Sequence, residues 1–483
     1  MALADKVLAD KWEAWDASVA DLRARLRGEL IQPGDQEYER SRAIHDAAFD
    51  RRPVLIVRCA GAADVSATIG FARARGLPLA VRGGGHSVAG HSACDEGVVI
   101  DLSSMKGIVI DPVQRVARIE PGLTWGEVAE TLQPHGLALT SGDTSSVGVG
   151  GLVLGGGIGW MARAYGLTID RLRAVDLVTA EGHFLRASAT EHAELFWGLR
   201  GGGGNFGVAT AFEFDLHAGG MVFGGAVFYD ASEAAKMADV LRAYARIAAA
   251  APDELTTVAF IMPAPPVPFI PPDRHGAPVV IIAVCYVGDP AEGARVVAPL
   301  RELGAPIADV IGPMPYPAMF ALTAEAAVPG HQVHLRSLFL PELDEGALKT
   351  VVDQTHAVMS PGTIVQVRVL GGALGRVPMD ATAFAHRDKH VWITAMHQGP
   401  ADADPSELRG RTEQVWRALQ PYSAGAYANF LGDEGESRIR EAYPPATYAR
   451  LAAIKARYDP TNLFRNNQNI KPAHREEVVA TRN

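Results

Sequence analysis

"VRGGGHSVAGHS", residues 81–92, sets three consecutive glycines at the end of an apolar run and a histidine directly after them. Glycine loses more conformational entropy on folding than any other residue, so a run of three needs a reason. A tight surface turn is one reason. Another is close approach of the backbone to a large ligand whose anionic part is held by peptide N–H groups. Two further stretches, SVGVGGLVLGGGIG (146–159) and GLRGGGGNFG (198–207), bear on the choice. Turn glycines alone would be scattered along the chain. Three dense loops in its first half fit an extended ligand threaded between them, its pyrophosphate held by backbone rather than by Lys or Arg.

The elements around these loops alternate in type. PVLIVR reads as a short buried strand, and GAADVSATIGFARARG carries Val65, Ile69 and Ala72 at helical spacing and ends at Gly76. LPLAVR, VVIDL, GIVID and RVARIE read as strands, and TWGEVAETLQPHG as a helix with Thr124 and Glu127 at capping-box spacing and Gly136 beyond its end. This is α+β with small sheets, not regular βαβ winding. Gly202-x-Gly204-x-x-Gly207 matches a dinucleotide fingerprint in letters only, because VATAFEFDL after it alternates as a strand where that fingerprint opens a helix. No P-loop is present. Past residue 220 the glycine loops vanish, PAPPVPFIPPD (263–273) reads as an exposed extended loop, and runs such as VVIIAVCYV alternate with helical ones. The tail pairs a helix stopped at Asp459-Pro460 with the asparagine-rich RNNQNI. We read residues 1–217 as one part of a first domain, 218–432 as a second domain with an antiparallel sheet, and 433–483 as a return to the first.

The 483 residues are 48% hydrophobic and 21% charged with a net charge of −10, a globular composition that argues against nucleic acid or an anionic membrane as partner. The charged opening MALADKVLADKWEAWDASVADLRARL lacks the apolar core of a secretion signal, and no run is long enough to span a bilayer, so a cytoplasmic location is expected. Cys59, Cys94 and Cys285 are odd in number and widely spaced, which indicates neither a disulfide framework nor a zinc site. His386 with His390, at metal-like spacing on an expected helix, and His331 with His334 lack a supporting carboxylate and read as structural; no metal is expected.

Taken together, VRGGGHSVAGHS, VVIDLSSMKGIVID, SSVGVGGLVLGGGIGWMARAYGLTIDRL, ELFWGLRGGGGNFGVAT and YDPTNLFRNNQNI resemble, in order and interval, the berberine-bridge-enzyme-like oxidases, with their vanillyl-alcohol-oxidase (PCMH) type of FAD-binding fold. The resemblance implies a two-lobed FAD-binding domain, a substrate domain whose antiparallel sheet is flanked by helices, and FAD as cofactor. It implies that His86 is joined covalently to the flavin 8α carbon, while His91 reads as a loop residue. Thr144 stands where some relatives carry a cysteine for a second link, so a single link through His86 is expected. Val147 stands at the position facing flavin C4a, where a small residue accompanies reaction with oxygen; dioxygen is therefore the expected acceptor and hydrogen peroxide the product.

Cofactor contacts are expected from Arg82, Gly83, Gly84, Gly85, Ser87 and Gly90 in the first loop. The second contributes Gly142, Thr144, Val147, Gly148, Gly151, Gly155, Gly156, Gly157 and Gly159. Asn205 and Val208 follow, then Asn467 and Asn469 from the tail. The family's Y-x-N element is AYANFL, giving Tyr427 as candidate base and Asn429 beside it on one strand face. A tyrosine titrates near 10 when free and needs a cation or hydrogen-bond donor to act as a base. Gln366 and Arg368, alternating in IVQVRVLGG, are candidate substrate contacts. The expected activity is oxidation of an alcohol or sugar-like hydroxyl of a small molecule. Amine oxidation, oxidative cyclisation of a secondary metabolite, a dehydrogenase with another acceptor, and a flavin-loaded binding protein without turnover are the alternatives.

Overall fold

The computed structural model describes residues 15–473; the N-terminal fourteen residues, part of the charged opening read as no secretion signal, and the last ten lie outside it. Three sheets carry the fold. In the first, Leu55–Arg58, Val98–Asp101 and Leu79–Arg82 run parallel and Glu29–Ile31 pairs antiparallel with Leu55–Arg58. The parallel strands are apolar runs buried on both faces, as that arrangement requires. The second sheet orders Ile108–Asp111, Val116–Ile119, Val208–Asp215, Leu172–Val178 and Phe184–Ser188, all antiparallel. Val208–Asp215 is therefore the strand expected after the third glycine loop.

Local signals act where they were read. The Ala62–Arg75 helix ends on Gly76 at φ 63°, whose N–H reaches the Ala72 and Arg73 carbonyls. The Trp125–Leu132 helix starts on a complete Thr124/Glu127 capping box.

The third sheet is antiparallel and eight-stranded. Its order is Pro306–Asp309, Met221–Asp230, Pro278–Tyr286, Leu255–Pro263, Thr363–Val369, Val391–Gly399 and Gln332–Leu340, with Gly312–Pro315 also on Met221–Asp230. Period-2 alternation splits its faces. Ala259, Ile261, Val365 and Val367 pack under the helices Ala234–Ala249, Glu345–Val358 and Pro405–Leu419, through Leu241, Val351 and Val415. Val258, Phe260, Ile364 and Met396 face the other way and join a core shared with Ile119, Val175 and Phe212 of the second sheet. The proline-rich segment forms the mostly exposed loop between Leu255–Pro263 and Pro278–Tyr286.

The tail helix is tied to the third glycine loop. Lys455, in the Pro445–Tyr458 helix, donates to the carbonyls of Asn205 and Phe464 at 2.8 and 2.7 Å and pairs with Asp459 at 2.7 Å, both side chains fully buried. Asp459 in turn accepts from the N–H groups of Leu463 and Phe464.

Two expected elements differ. Tyr427 and Asn429 are not on a strand: the chain there pairs with Phe339 only around Ala424 and Gly425, then closes a short turn at Ala428–Phe430. Residues 380–390 are turns and coil rather than helix, and His386 is held by the carbonyls of Glu441 and Ala442 at 2.9 and 3.2 Å. Among the described residues no helix is long and apolar enough to cross a membrane.

Candidate active site

A cavity of about 360 Å³ runs between the glycine loops and the face of the third sheet opposite its helices. Its floor is two backbones in contact. The first loop crosses the second at Gly84 and Gly148, leaving no room for a Cβ on either. Gly85, at φ 76°, then turns the chain so that His86 lines the cavity. Ser87, Gly142, Thr144, Val147, Gly151, Asn205, Val208 and Asn467 line it as well.

His86 stacks on His45, ring centroids 3.9 Å apart. Burial, reinforced by the neighbouring His45, pulls the His86 pKa down to about 3, so the ring is uncharged at physiological pH. His91 also reaches the cavity and is lowered to about 4, again chiefly by burial.

Tyr427 is buried, yet it lines the cavity opposite this loop. Its hydroxyl oxygen accepts the Gly157 N–H at 2.8 Å and the Asn429 amide at 3.0 Å. Those two donors favour the phenolate, but desolvation outweighs them and the pKa is pushed up to about 12. Asn429 also donates to the Leu152 carbonyl, 3.1 Å away, which fixes its amide. Rings of Phe339, Phe384, Trp392 and Phe430 surround the phenol at 5.5 to 6.4 Å between centroids. Gln366 lines the cavity from the third sheet, with Leu335 and Met396 as apolar neighbours. Asp143 lines it too and is ion-paired to Arg368, whose guanidinium is 1% exposed and lies between Trp160 and Trp392.

Family models match over residues 53–188, described as an FAD binding domain, and over 426–471, described as berberine and berberine like. An FAD-linked oxidoreductase of Dictyostelium discoideum is 31% identical over 92% of the chain and 95% of its own length. (R)-6-Hydroxynicotine oxidase of Paenarthrobacter nicotinovorans is 32% identical over 92% of the chain and 97% of its own length. The chain belongs to the berberine-bridge-enzyme-like FAD-linked oxidases. Among solved structures, a 6-hydroxy-D-nicotine oxidase from Arthrobacter nicotinovorans superimposes with a TM-score of 0.80 at 30% identity, covering 93% of this chain and 98% of that one. A chitooligosaccharide oxidase, at 24% identity and a TM-score of 0.82 over 95% and 100%, shares the fold.

The residues present fit the family's FAD. Gly151 and Gly204 line the cavity, and a Cβ on either would meet no atom of the described protein within 4 Å, so bare backbone faces the space a ligand would fill. Asn467 holds the Gly204 and Phe464 carbonyls through its amide nitrogen while its buried amide oxygen has no partner among the described residues. Neither lysine nor arginine is among the described lining residues, so an anionic group there meets peptide N–H donors.

Several expected contacts of this FAD-linked oxidase lie elsewhere. Arg82 turns away from the cavity to Asp101, at 2.8 Å. Gly90 is packed against the Phe49 ring. Gly155 backs onto the Asn429 amide, Gly156 onto Phe384 and Tyr427, Gly157 onto Thr168, and Gly159 onto the Ser141 carbonyl. These four thus space the site instead of lining it. Arg368 is sealed behind Asp143, and Asn469 does not reach the cavity, its amide oxygen buried without a partner among the described residues. The Asn205 amide is spent on Gly202, Gln468 and Ile470.

Sequence reading missed His45, Asp46 and Asp143, and took the asparagine and glutamine side chains of RNNQNI as a group without singling out Asn466 and Gln468. The last two lay inside the quoted tail motif, where Asn466 holds the His91 and Ala93 carbonyls and Gln468 that of Leu431. His45 and Asp46 sit in SRAIHDAAFD, which carries no motif.

Proposed function

We propose that this FAD-linked oxidoreductase is an oxidase that removes a hydride from a carbon bearing a hydroxyl group on a small molecule. Dioxygen is the acceptor, and a single covalent link joins the flavin to His86. Bound FAD would supply the two-electron acceptor and, on reoxidation, hydrogen peroxide. Residues 1–217 and 433–483 would form the cofactor domain and 218–432 the substrate domain.

The observation that carries the reading is Tyr427. Both acceptor directions of its oxygen are filled by Gly157 and Asn429, which pin it in the cavity wall and leave its proton site for the substrate. Loss of a hydride from an alcohol requires the hydroxyl proton to leave, and the same two donors stabilise the phenolate that would take it. With a pKa of about 12 that form is scarce at neutral pH, so turnover would draw on a minor ionised population. Gln366 would orient the substrate, and Leu335, Met396 and Phe430 would exclude water from it. A neutral His86 supports the covalent link, and Thr144 leaves no thiol for a second. Val147, which lines the cavity, supports oxygen as acceptor.

Oxidation of an amine is the second reading, favoured by the same high Tyr427 pKa: a neutral amine gives up a hydride without a base. The similarity to (R)-6-hydroxynicotine oxidase is consistent with it. Peroxide release across panels of alcohols and amines, each repeated with Tyr427→Phe, tests both. An alcohol oxidase loses kcat by about 10²–10⁴ in the variant, whereas an amine oxidase loses far less. Absence of peroxide while flavin is bleached by substrate would point to another acceptor and overturn the oxidase reading.

A further inference from the structure

His45 belongs to neither the glycine loops nor the tail, yet its ring lies against that of His86 with planes 24° from parallel. Its backbone is fixed from both lobes. The His45 N–H donates to the Gly85 carbonyl at 3.2 Å, and its own carbonyl accepts from Gly330 at 3.1 Å. The next residues add to the strap: Ala47 N–H donates to His331 at 2.9 Å, and Asp46 Oδ1 accepts the Val333 N–H at 3.2 Å. The segment 45–47 therefore runs from the cofactor loop to the entrance of the Gln332–Leu340 strand.

A bond between an imidazole nitrogen and a methyl carbon forms only if the ring is uncharged and held at one angle near that carbon. Stacking restricts the ring to one plane. Burial, with the His45 ring as the second cause, keeps His86 uncharged, and burial with His331 nearby lowers His45 as well.

We infer that His45 is the positioning residue for covalent attachment of the flavin at His86, set in place by the strap between the two lobes. The inference rests on the link proposed above. In the step, a C–N bond forms between His86 and the 8α carbon, and the imidazole N–H and one methyl C–H break. The electron pair and two protons pass to the isoalloxazine, and dioxygen then removes them as hydrogen peroxide. His45 is unchanged throughout.

The test is the rate of attachment. Purified full-length protein is incubated in air with excess FAD. Covalent flavin is read as fluorescence of the denatured band, and non-covalent flavin as the fraction released by acid. Against wild type, His45→Ala should attach at least about tenfold more slowly while still binding FAD, and His45→Phe, which preserves the stack, should recover to within about threefold. Should His45→Ala bind no FAD, His45→Asn, which is polar and smaller than a ring, carries the same comparison. Wild-type rates in the alanine or asparagine variant would overturn this inference alone, as would a phenylalanine variant as slow as alanine. A wild-type band without fluorescence would overturn the link at His86, and this inference with it.

Discussion

Gly84 and Gly148 meet backbone to backbone: a Cβ on Gly148 would stand 2.2 Å from the Gly84 nitrogen, and one on Gly84 would stand 2.4 Å from the Gly148 nitrogen. No side chain can rotate away to relieve either contact, so the two loops must separate to admit a methyl group. This crossing is what lets His86 and Val147 line one cavity.

Alanine at Gly148 should therefore cost about 1–3 kcal/mol or more and lower the flavin bound per protein. Gly151 is the contrasting position. A Cβ there meets nothing within 4 Å in the described protein, so Gly151→Ala should leave the unfolding free energy of flavin-free protein within about 0.5 kcal/mol of wild type. Its flavin content should nevertheless fall, because the methyl enters the ligand space. Thermal melts paired with flavin absorbance check both, and full flavin loading in Gly151→Ala would remove that loop from the binding site.

The ion pair of Asp143 and Arg368 ties the second glycine loop to the third sheet. Arg368 is almost wholly enclosed, with its Nε and Nη1 lacking partners among the described residues, so the carboxylate is its main compensation. Removing Asp143 leaves a buried uncompensated charge, and Asp143→Ala should destabilise by about 3–5 kcal/mol. The double variant Asp143→Ala/Arg368→Met should regain most of that loss. Denaturant titrations of the single and double variants form the check; equal losses in both would mean that the charge is not what the carboxylate compensates.

How much of this could be read from the chain depended on whether a feature is local. The Gly76 stop, the Thr124/Glu127 cap and the strand after the third glycine loop follow from neighbours within four residues, and all stand as read. The five motifs together placed the fold. Gly155 to Gly159 read as ligand contacts because glycine freedom looks the same whether a ligand, an Asn429 amide or a Ser141 carbonyl fills the space. Arg368 shares a strand face with Gln366, and only the partner Asp143, more than two hundred positions away in the chain, decides that one is sealed and the other lines the cavity. His45 and Asp46 had no signal, since they are defined by what the fold brings to them.

Stability should fall on acidification through the buried histidines. His217, flat against Tyr165 at 3.6 Å, is lowered to about 3, and His397 to about 4, burial being the main cause for each. The unfolded chain protonates these rings below about 6.5 while the native state does not, so the unfolded state binds more protons in that window. Their contribution is full above pH 6.5 and is lost progressively as pH falls from there towards 3, each ring adding about 1.4 kcal/mol per pH unit to the slope. His217→Phe keeps an aromatic face on Tyr165 and removes one proton from the difference. Unfolding free energies measured between pH 7 and 4 should fall less steeply in the variant; identical slopes would mean that His217 is not held neutral.

Tyr427 gives the sharpest test at the site, because its two hydrogen-bond donors act against its burial. Gly157 and Asn429 each lower the phenol pKa, and desolvation raises it further than both together can bring it down. With the pKa near 12, the ionised fraction grows about tenfold per pH unit through the accessible alkaline range, so kcat for an alcohol should climb with pH without a plateau below about 10. Asn429→Ala removes one stabilising donor. The phenol pKa then rises, the rate at any given pH falls, and the whole profile moves to more alkaline values. Because Asn429 also backs Gly155, Asn429→Asp serves as a second variant of matched size, in which the carboxylate can no longer donate and the shift should be at least as large. Stopped-flow traces of flavin bleaching by substrate, collected from pH 6 to 10, supply the profiles. A flat profile, unaltered in both variants, would exclude a tyrosine base and leave the amine reading.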